Sequence, residues 1–598
     1  MPHDNGPTPE DLADSLDAAS IYAEPPVPDN DGAQGEIFPG SPVTALGMHG
    51  KQCFYLDVLQ QLQSVDNHTR DRIRTIFGGR TDLLMQHFPR MSAGNPPKTL
   101  SWLHEEAATA MVSACAAKGV WSAHERVRGL GAWLNDNGFP ILHCGDQIIT
   151  RAESGRDVHQ LPGQIEGYVY PADVRAPKPA PQATTDAECR QAAQELLEAL
   201  QSWSWAREDV DAHLLLGWIV AAMFGGALQW RPMCWITGDR GMGKSTLMDL
   251  IGYVMGGEQG IVKATDTTEA GIRQVVKQAT LPVAIDEAEA EADNRRMASV
   301  IKLARQAASG GLVIRGGADH KSAEFRVRSC FLFASILIPE LMDQDISRMA
   351  VLELRPFKEG AMAPKITRRH FADLGRRIRR GVLRAWPQQH ETLESYAMAL
   401  SSAGHSARGC DQFGTLLAMA DLALHGGQPT GDALAGWASK LDGRQIQAET
   451  DESADWERML NHLFSHPLDM YRGGVKYSVG EVIAVAANLP SASTSLDRAE
   501  AVTQLRRFGI SVAGTDKTAQ IEIANNHQGL APLFKDTRWA GGVHRQSAKR
   551  IPGATSPAAP RTMAGARTRV TAFPLTSLPW LLEPTPAASR TETEPGHI

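Results

Sequence analysis

The stretch from Met233 to Ile251 limits the possible folds more than any other part of the chain. An apolar run, Met233-Cys234-Trp235-Ile236, leads into Gly238-Asp239-Arg240-Gly241-Met242-Gly243-Lys244-Ser245, after which Thr246, Leu247, Leu250 and Ile251 follow at helical spacing. The first part reads as a buried strand and the last as a helix. Between them, glycines take backbone angles closed to other residues, so successive N–H groups can wrap an anion at which the helix aims its positive end. Residues Gly238 to Thr246 are therefore the candidate cradle for the phosphates of a nucleoside triphosphate. Lys244 would reach the β- and γ-phosphates and Ser245 would ligate Mg²⁺.

About forty residues on, Leu281-Pro282-Val283-Ala284-Ile285 reads as a short buried strand that delivers Asp286 and Glu287 at its end. Asp286 would hold the metal through water, and Glu287 would polarise an attacking water as general base. Two acids at a strand end also suit simple solvation, but their position after a phosphate loop favours the catalytic reading. A third apolar strand, Phe331-Leu332-Phe333-Ala334-Ser335, offers Ser335 as a polar sensor of the γ-phosphate. Arg348, in Asp345-Ile346-Ser347-Arg348, is a candidate arginine finger acting on a neighbouring subunit's nucleotide. Two plainer readings stay open: a buried serine bonded to backbone, and a surface arginine paired with Asp345.

The order of these motifs, with Ser309-Gly310-Gly311-Leu312-Val313-Ile314-Arg315 and Asp319-His320-Lys321-Ser322 between the second and third strands, resembles superfamily 3 helicases. The likeness is to the helicase part of phage, plasmid and poxvirus primase-helicases, and it spans roughly residues 205 to 357. It implies an AAA+-like P-loop NTPase core, ATP with Mg²⁺, and a hexameric ring whose channel is lined by β-hairpins that grip DNA. It nominates Lys321 and His320 as hairpin-tip residues, with Arg315 supporting phosphate contact. Many members carry Asn at the end of the third strand, where this chain has Ser335-Ile336. From the residues alone, the hairpin cations also read as an ordinary solvated turn, although a few cations on such a turn suffice to hold phosphates non-specifically.

The fold expected is α/β: a parallel-sheet core with an N-terminal α+β module, a helical collar and a C-terminal winged-helix-like module. Punctuation by Pro, Gly and charge places a disordered segment at 1–42, the α+β module at 43–175, a Pro-rich linker at 176–185 and the collar at 186–230. The core follows at 231–360, a helical region at 361–468, the basic C-terminal module at 469–585 and a tail at 586–598. The apolar run from Leu214 to Leu228 is short for a bilayer span and reads as a buried helix, so no membrane partner is expected.

A net charge of −8 argues against a nonspecific polycation, yet positive charge is concentrated locally. Lys365, Arg368, Arg369, Arg376, Arg377, Arg379, Arg380 and Arg384 face only Asp373, and this stretch could turn to DNA or to solvent. A second basic stretch runs from Lys535 to Arg569, where Trp539 and His544 offer base-stacking surfaces; a solubilising tail explains its charges as well. Seven scattered cysteines suggest neither disulfides nor a zinc ribbon and fit a reducing cytoplasm. No primase signature is evident, so a primase would be a separate subunit. The leading expectation is an ATP-dependent DNA helicase for replication of a phage, plasmid or other mobile element. The alternatives are a nucleotide-switched DNA-binding ATPase, such as an initiator or an anti-phage defence sensor, and a protein-remodelling ATPase.

Overall fold

The computed structural model describes residues 35–578 except 153, 266, 289–294, 317–321, 340–344, 346–347, 358–365, 442–454, 469–475, 491–495 and 536. Two compact units divide between residues 444 and 445.

The first unit opens with an α+β module. Strands Thr44–His49, Gln52–Leu56 and Leu62–Val65 form one antiparallel sheet, against which helix His104–Lys118 packs. Gly131–Leu134, Pro140–His143, Ile148–Arg151 and Asp157–Gln160 form a second. Ile37 and Phe38 are buried in this module, and Phe38 stacks on His87 at 4.0 Å. The module therefore begins before Val43, which corrects the end of the segment expected to be disordered at 1–42; residues 1–34 lie outside the described residues.

The Pro-rich stretch that follows is extended but anchored. Ala176 N donates to Cys144 O (3.0 Å), Ala180 N donates to Arg376 O (2.8 Å), and Ala180 is buried. Helices α1 (Asp186–Gln201) and α2 (Asp211–Met223) come next. Thr185 and Glu188 close a capping box on α1, which satisfies N–H groups that a helix start leaves unpaired. Every α2 residue except His213 is buried, so this is a core helix. Gly217 allows that: a Cβ there would lie 2.0 Å from Leu416 O of a neighbouring helix.

A five-stranded parallel sheet forms the centre of the unit. Its strands are β1 (Met233–Thr237), β2 (Val262–Ala264), β3 (Val283–Ile285), β6 (Phe331–Ser335) and β7 (Met349–Glu353), in the spatial order β2-β3-β6-β1-β7. Helix α3 (Lys244–Met255) joins β1 to β2, α4 (Glu269–Val276) joins β2 to β3, and α5 (Arg295–Ser309) leaves β3 for an antiparallel hairpin, β4 (Leu312–Gly316) with β5 (Ser322–Arg326). The chain steps outward from β1 to β2 and then returns. Right-handed crossovers consequently put α3 on one face and α4 with α5 on the other. Trp235, Phe331 and Phe333 share a core with Ile272, Val300 and Leu303 on the second face.

Helices α6 (Arg368–Ala385), α7 (Gln389–Ser402), α8 (Ala407–Leu424) and α9 (Gly431–Lys440) complete the unit. Buried Gln412 of α8 pins the first residue of β1, its amide donating to Met233 O (2.6 Å) and accepting from Met233 N (3.3 Å). Part of the basic stretch on α6 turns inward, an outcome that neither sequence reading anticipates. Arg379 Nη2 donates to Met255 O (2.9 Å) at the C-terminal end of α3, where a cation complements the helix dipole. Burial lowers its pKa to about 10. Arg380 forms two hydrogen bonds of 2.9 and 2.7 Å with the Asp157 carboxylate, and Arg384 pairs with Asp186 at 2.7 Å. Arg368, Arg369 and Arg376 are exposed, and Lys365 lies outside the described residues.

The second unit has its own core. Helix α10 (Asp455–Ser465) precedes a short hairpin, β8 (Pro467–Leu468) with β9 (Tyr477–Ser478), and helices α11 (Val479–Ala486) and α12 (Arg498–Arg507). An antiparallel sheet of β10 (Ile510–Ala513), β11 (Gln520–Ala524) and β14 (Val570–Pro574) follows. Between β11 and β14 lie α13 (His544–Ala548) and a hairpin of β12 (Arg561–Met563) with β13 (Ala566–Thr568). Met459, Leu460 and Leu463 of α10 are buried in this core, so the expected boundary at 468 moves upstream of α10. Trp539 and His544 are buried too: Trp539 Nε1 donates to Asp455 Oδ1 (3.2 Å), and His544 stacks on Phe534 at 5.1 Å. Their expected role as base-stacking surfaces is thereby corrected.

The Arg380–Asp157 pair gives a test of how α6 is fastened. Both side chains are 3% exposed, so Arg380→Ala leaves a buried carboxylate uncompensated and is expected to cost about 3–5 kcal/mol. The paired change Arg380→Leu/Asp157→Leu should recover much of the lost thermal midpoint in a melting experiment.

Candidate functional site

In an open α/β sheet, a crevice forms at the carboxyl ends of the strands where neighbouring connections leave for opposite faces. Here that point falls between β1, whose chain turns to α3, and β6 and β3, whose connections serve the other side. The glycine loop stands at this edge. Thr237 is level with Ser335, and Ile285 with Phe333, so Gly238, Ser335 and the Asp286-Glu287 pair all emerge together. Because β6 lies between β1 and β3, the acids stand two strand spacings, about 10 Å, from the loop. That gap accommodates a polyphosphate and an ion.

The loop itself is shaped by its glycines. Gly238, Gly241 and Gly243 have φ of 150°, 83° and 80°. Gly243 is the N-cap of α3 and supplies no side-chain cap, so the first N–H groups of the helix are open to an anion. Lys244 Nζ donates to Gly238 O and to Asp239 O (2.9 Å), which holds the amine over the loop. Asp239, Arg240, Gly241 and Ser245 are exposed, Lys244 and Thr246 are half-buried, and Met242 is buried.

Trp203, a residue the sequence did not single out, fixes the loop from outside. Its indole donates to Gly243 O (3.2 Å), and a Cβ on Gly243 would lie 2.8 Å from Trp203 Nε1 and 3.3 Å from the Phe357 ring. The segment around Trp203 reaches this place by pairing with the end of β7, through Ala206 N to Glu353 O (2.8 Å) and Arg355 N to Ser204 O (2.8 Å). No local pattern reports such a contact, since forty residues separate its partners.

The acids are held by the adjoining strands. Asp286 N donates to Ala264 O and Ala288 N to Ala334 O, both at 2.9 Å. Between them Glu287 has φ of 57°, a left-handed conformation that costs a non-glycine residue about 1–3 kcal/mol and is concentrated at functional sites. Its N–H donates to Asp286 Oδ1 (3.0 Å), and its side chain is exposed.

Ser335 sits at the expected strand end, but its hydroxyl is engaged within the fold. It is 2% exposed, accepts from Trp235 Nε1 (2.8 Å) and donates to Leu337 O (2.8 Å). The sensor expectation is corrected accordingly: this is the buried, backbone-bonded serine. Arg348 lies at the other edge of the sheet. Met349 pairs with Met233, so the length of β7, about 17 Å, separates Arg348 from the loop of its own chain. The Asp345 carboxylate accepts from Arg305 at 2.7 Å and also attracts the Arg348 guanidinium, as the plainer reading has it. Burial, then the nearby Arg408 and Arg305 cations, lower the Arg348 pKa below the usual guanidinium value.

A hairpin does occupy the interval between the acid strand and the Ser335 strand, with Leu312 paired to Arg326 and Gly316 to Ser322. Arg315 lies on β4 opposite Ala323, while His320 and Lys321 lie outside the described residues. Among the described residues no cluster of three or more His, Cys, Asp or Glu could hold a metal, and no helix is long and apolar enough to cross a membrane. Ser245 and Asp286 instead offer two oxygens, which suits an ion such as Mg²⁺ that keeps waters and phosphate oxygens in its shell.

No protein-family model matches the chain, and no curated protein matches it. Among solved structures, the chain is similar to the apo A form of the NrS-1 C-terminal region, at 11% identity and TM-score 0.31, covering 88% of this chain and 96% of that one. It is also similar to a full-length MCM homolog from Methanopyrus kandleri, at 14% identity and TM-score 0.30, covering 51% of this chain and 73% of that one.

Ser335→Ala tests the structural role of this hydroxyl. The substitution leaves the buried Trp235 N–H without its acceptor, for which a loss of about 1–3 kcal/mol is expected in denaturant unfolding. Unchanged stability would show that the serine does not hold β1 and β6 together.

Proposed function

We propose that the chain is an ATP-driven DNA helicase of the P-loop, AAA+-like kind, working as a ring, the motor of a mobile-element replication system.

 Its nucleotide would lie in the switch-point crevice, and the observation that carries this reading is the shared edge: glycine loop on one wall, Asp286 and Glu287 on the other, two strands apart. The α3 N–H groups and Lys244 bind and orient the phosphates. Ser245 and Asp286 would hold Mg²⁺, which supplies neutralisation of the phosphate charge. Glu287 takes a proton from the attacking water, and the left-handed turn at that residue fits an aimed side chain. Arg348, placed too far away to serve its own chain, acts on the nucleotide of a neighbouring protomer in a hexamer.

The β4–β5 hairpin supports DNA as the partner. It is inserted in sequence between the acid strand and β6, and it leaves the sheet at the edge where β1 and β6 begin, since Arg231 N donates to Ala308 O just before it (2.9 Å). Lys321, His320 and Arg315 would grip the backbone of a single strand or fork, and the second unit would act as a winged-helix-like accessory, given its order of helix, hairpin, two helices and sheet. A primase would be a separate subunit, and the setting a bacterial or phage-infected cytoplasm. The second reading, a nucleotide-switched DNA-binding ATPase that does not unwind, uses the same crevice and hairpin.

Glu287→Gln is expected to retain ATP binding while turnover falls about 10²- to 10⁴-fold in a phosphate-release assay; normal turnover would discard the base assignment. Lys321→Ala should keep basal hydrolysis but lose stimulation by single-stranded DNA and duplex opening in a strand-displacement assay. A wild-type chain that hydrolyses ATP and binds DNA without opening a duplex would select the second reading.

A further inference from the structure

The second unit holds a polar cleft that the nucleotide site does not use. It has a volume of about 630 Å³ and is lined by Arg545 and Lys549 from the region of α13, and by Arg567 and Arg569 around the end of β13. Asn526 and Gln546 add amide groups, and no acidic side chain contributes to the lining. All four cations are exposed.

The acids on the elements nearby are committed elsewhere. Asp455 accepts from Ser547 of α13 and pairs with Arg538 at 3.2 Å, and Glu522 of β11 pairs with Arg561 at 2.8 Å. Four like charges around one cleft repel each other, and a polyanion that bridges them relieves that repulsion. The floor is also fixed in advance: Asn525 N donates to Arg569 O (2.8 Å), Thr568 Oγ1 to Asn526 O (3.0 Å), and Thr571 Oγ1 to Asn525 Oδ1 (3.0 Å). His544 Nε2 meets Ala524 O at 3.0 Å, which ties α13 to the same strand. A prearranged site loses less entropy on binding.

We infer that this cleft binds the phosphodiester backbone of a nucleic acid, independently of base sequence. The two aromatic rings of the segment, Trp539 and His544, are turned into the core, so the cleft offers cations and amides for phosphates and no stacking platform for bases. Four cations over a cleft of this size suit several successive phosphates of a polymer better than a single free phosphate. The inference concerns the second unit and does not rest on the ATPase reading.

The test uses the full chain and fluorescence anisotropy with a labelled oligothymidylate and a labelled duplex, each titrated over a range of salt. Neutralising the cleft with Arg545→Gln/Lys549→Gln/Arg567→Gln/Arg569→Gln should weaken binding to at least one of the two by tenfold or more. It should also flatten the dependence of log Kd on log salt by about 3, at about 0.7 to 0.9 per phosphate contact. Affinity and slope both unchanged would overturn the inference. So would displacement of the oligonucleotide by inorganic phosphate at equal phosphate concentration, since the cleft would then not require a polymer. Should the fourfold variant fail to fold, Arg567→Gln alone, on an exposed hairpin position, should lower the slope by about 1, and no change would count against the site. Basal ATP hydrolysis, followed in parallel, is expected to be the same in wild type and variants. Its absence from the wild type would count against the proposed ATPase while leaving the binding result intact.

Discussion

The parallel register of β1, β6 and β3 is the constraint on which the rest of the first unit depends. It sets Gly238, Ser335 and Asp286 at one edge and keeps the loop and the acids two strands apart. Several independent contacts hold that register. Trp235 stacks on Phe333 at 4.8 Å while its indole bonds Ser335, Trp218 Nε1 donates to Phe331 O (3.0 Å), and Gln412 bonds both polar groups of Met233. Fully buried strands leave little room for slippage, because a shift of one residue would exchange the faces of every side chain.

Positive charge is divided among separate tasks. On α6 it fastens the structure: Arg379 meets the end of α3, Arg380 meets Asp157, and Arg384 meets Asp186. At the edge of the sheet opposite the loop, Arg348 stands near Arg305 and Arg408, while Arg305 neutralises Asp345. In the second unit, four exposed arginines and lysines line a cleft without acids. An acidic chain can thus carry local sites for anions.

Much of the core was legible because its signals are local. The apolar run ending at Ile236, the three glycines and the helical spacing after Lys244 correspond to β1, a loop with positive φ and α3. The strand ending in Asp286 was readable for the same reason, whereas the hairpin before Phe331 was expected only from the family resemblance. What escaped depends on distant parts of the chain. Trp203 touches Gly243 across forty residues, and adjacent arginines at 379 and 380 both find buried partners that no charge count reveals. Ser335 and Trp539 were assigned by residue type to ligand contacts, yet tertiary packing gives their polar atoms to Leu337, Trp235 and Asp455.

Calorimetric titration of ATP into the chain, with Mg²⁺ and with a chelator, and repeated on Lys244→Ala, tests the central claim most directly. The account predicts one site per chain, weakened by the chelator and lost in Lys244→Ala. Equal binding by wild type and Lys244→Ala, or no binding by either, would contradict it.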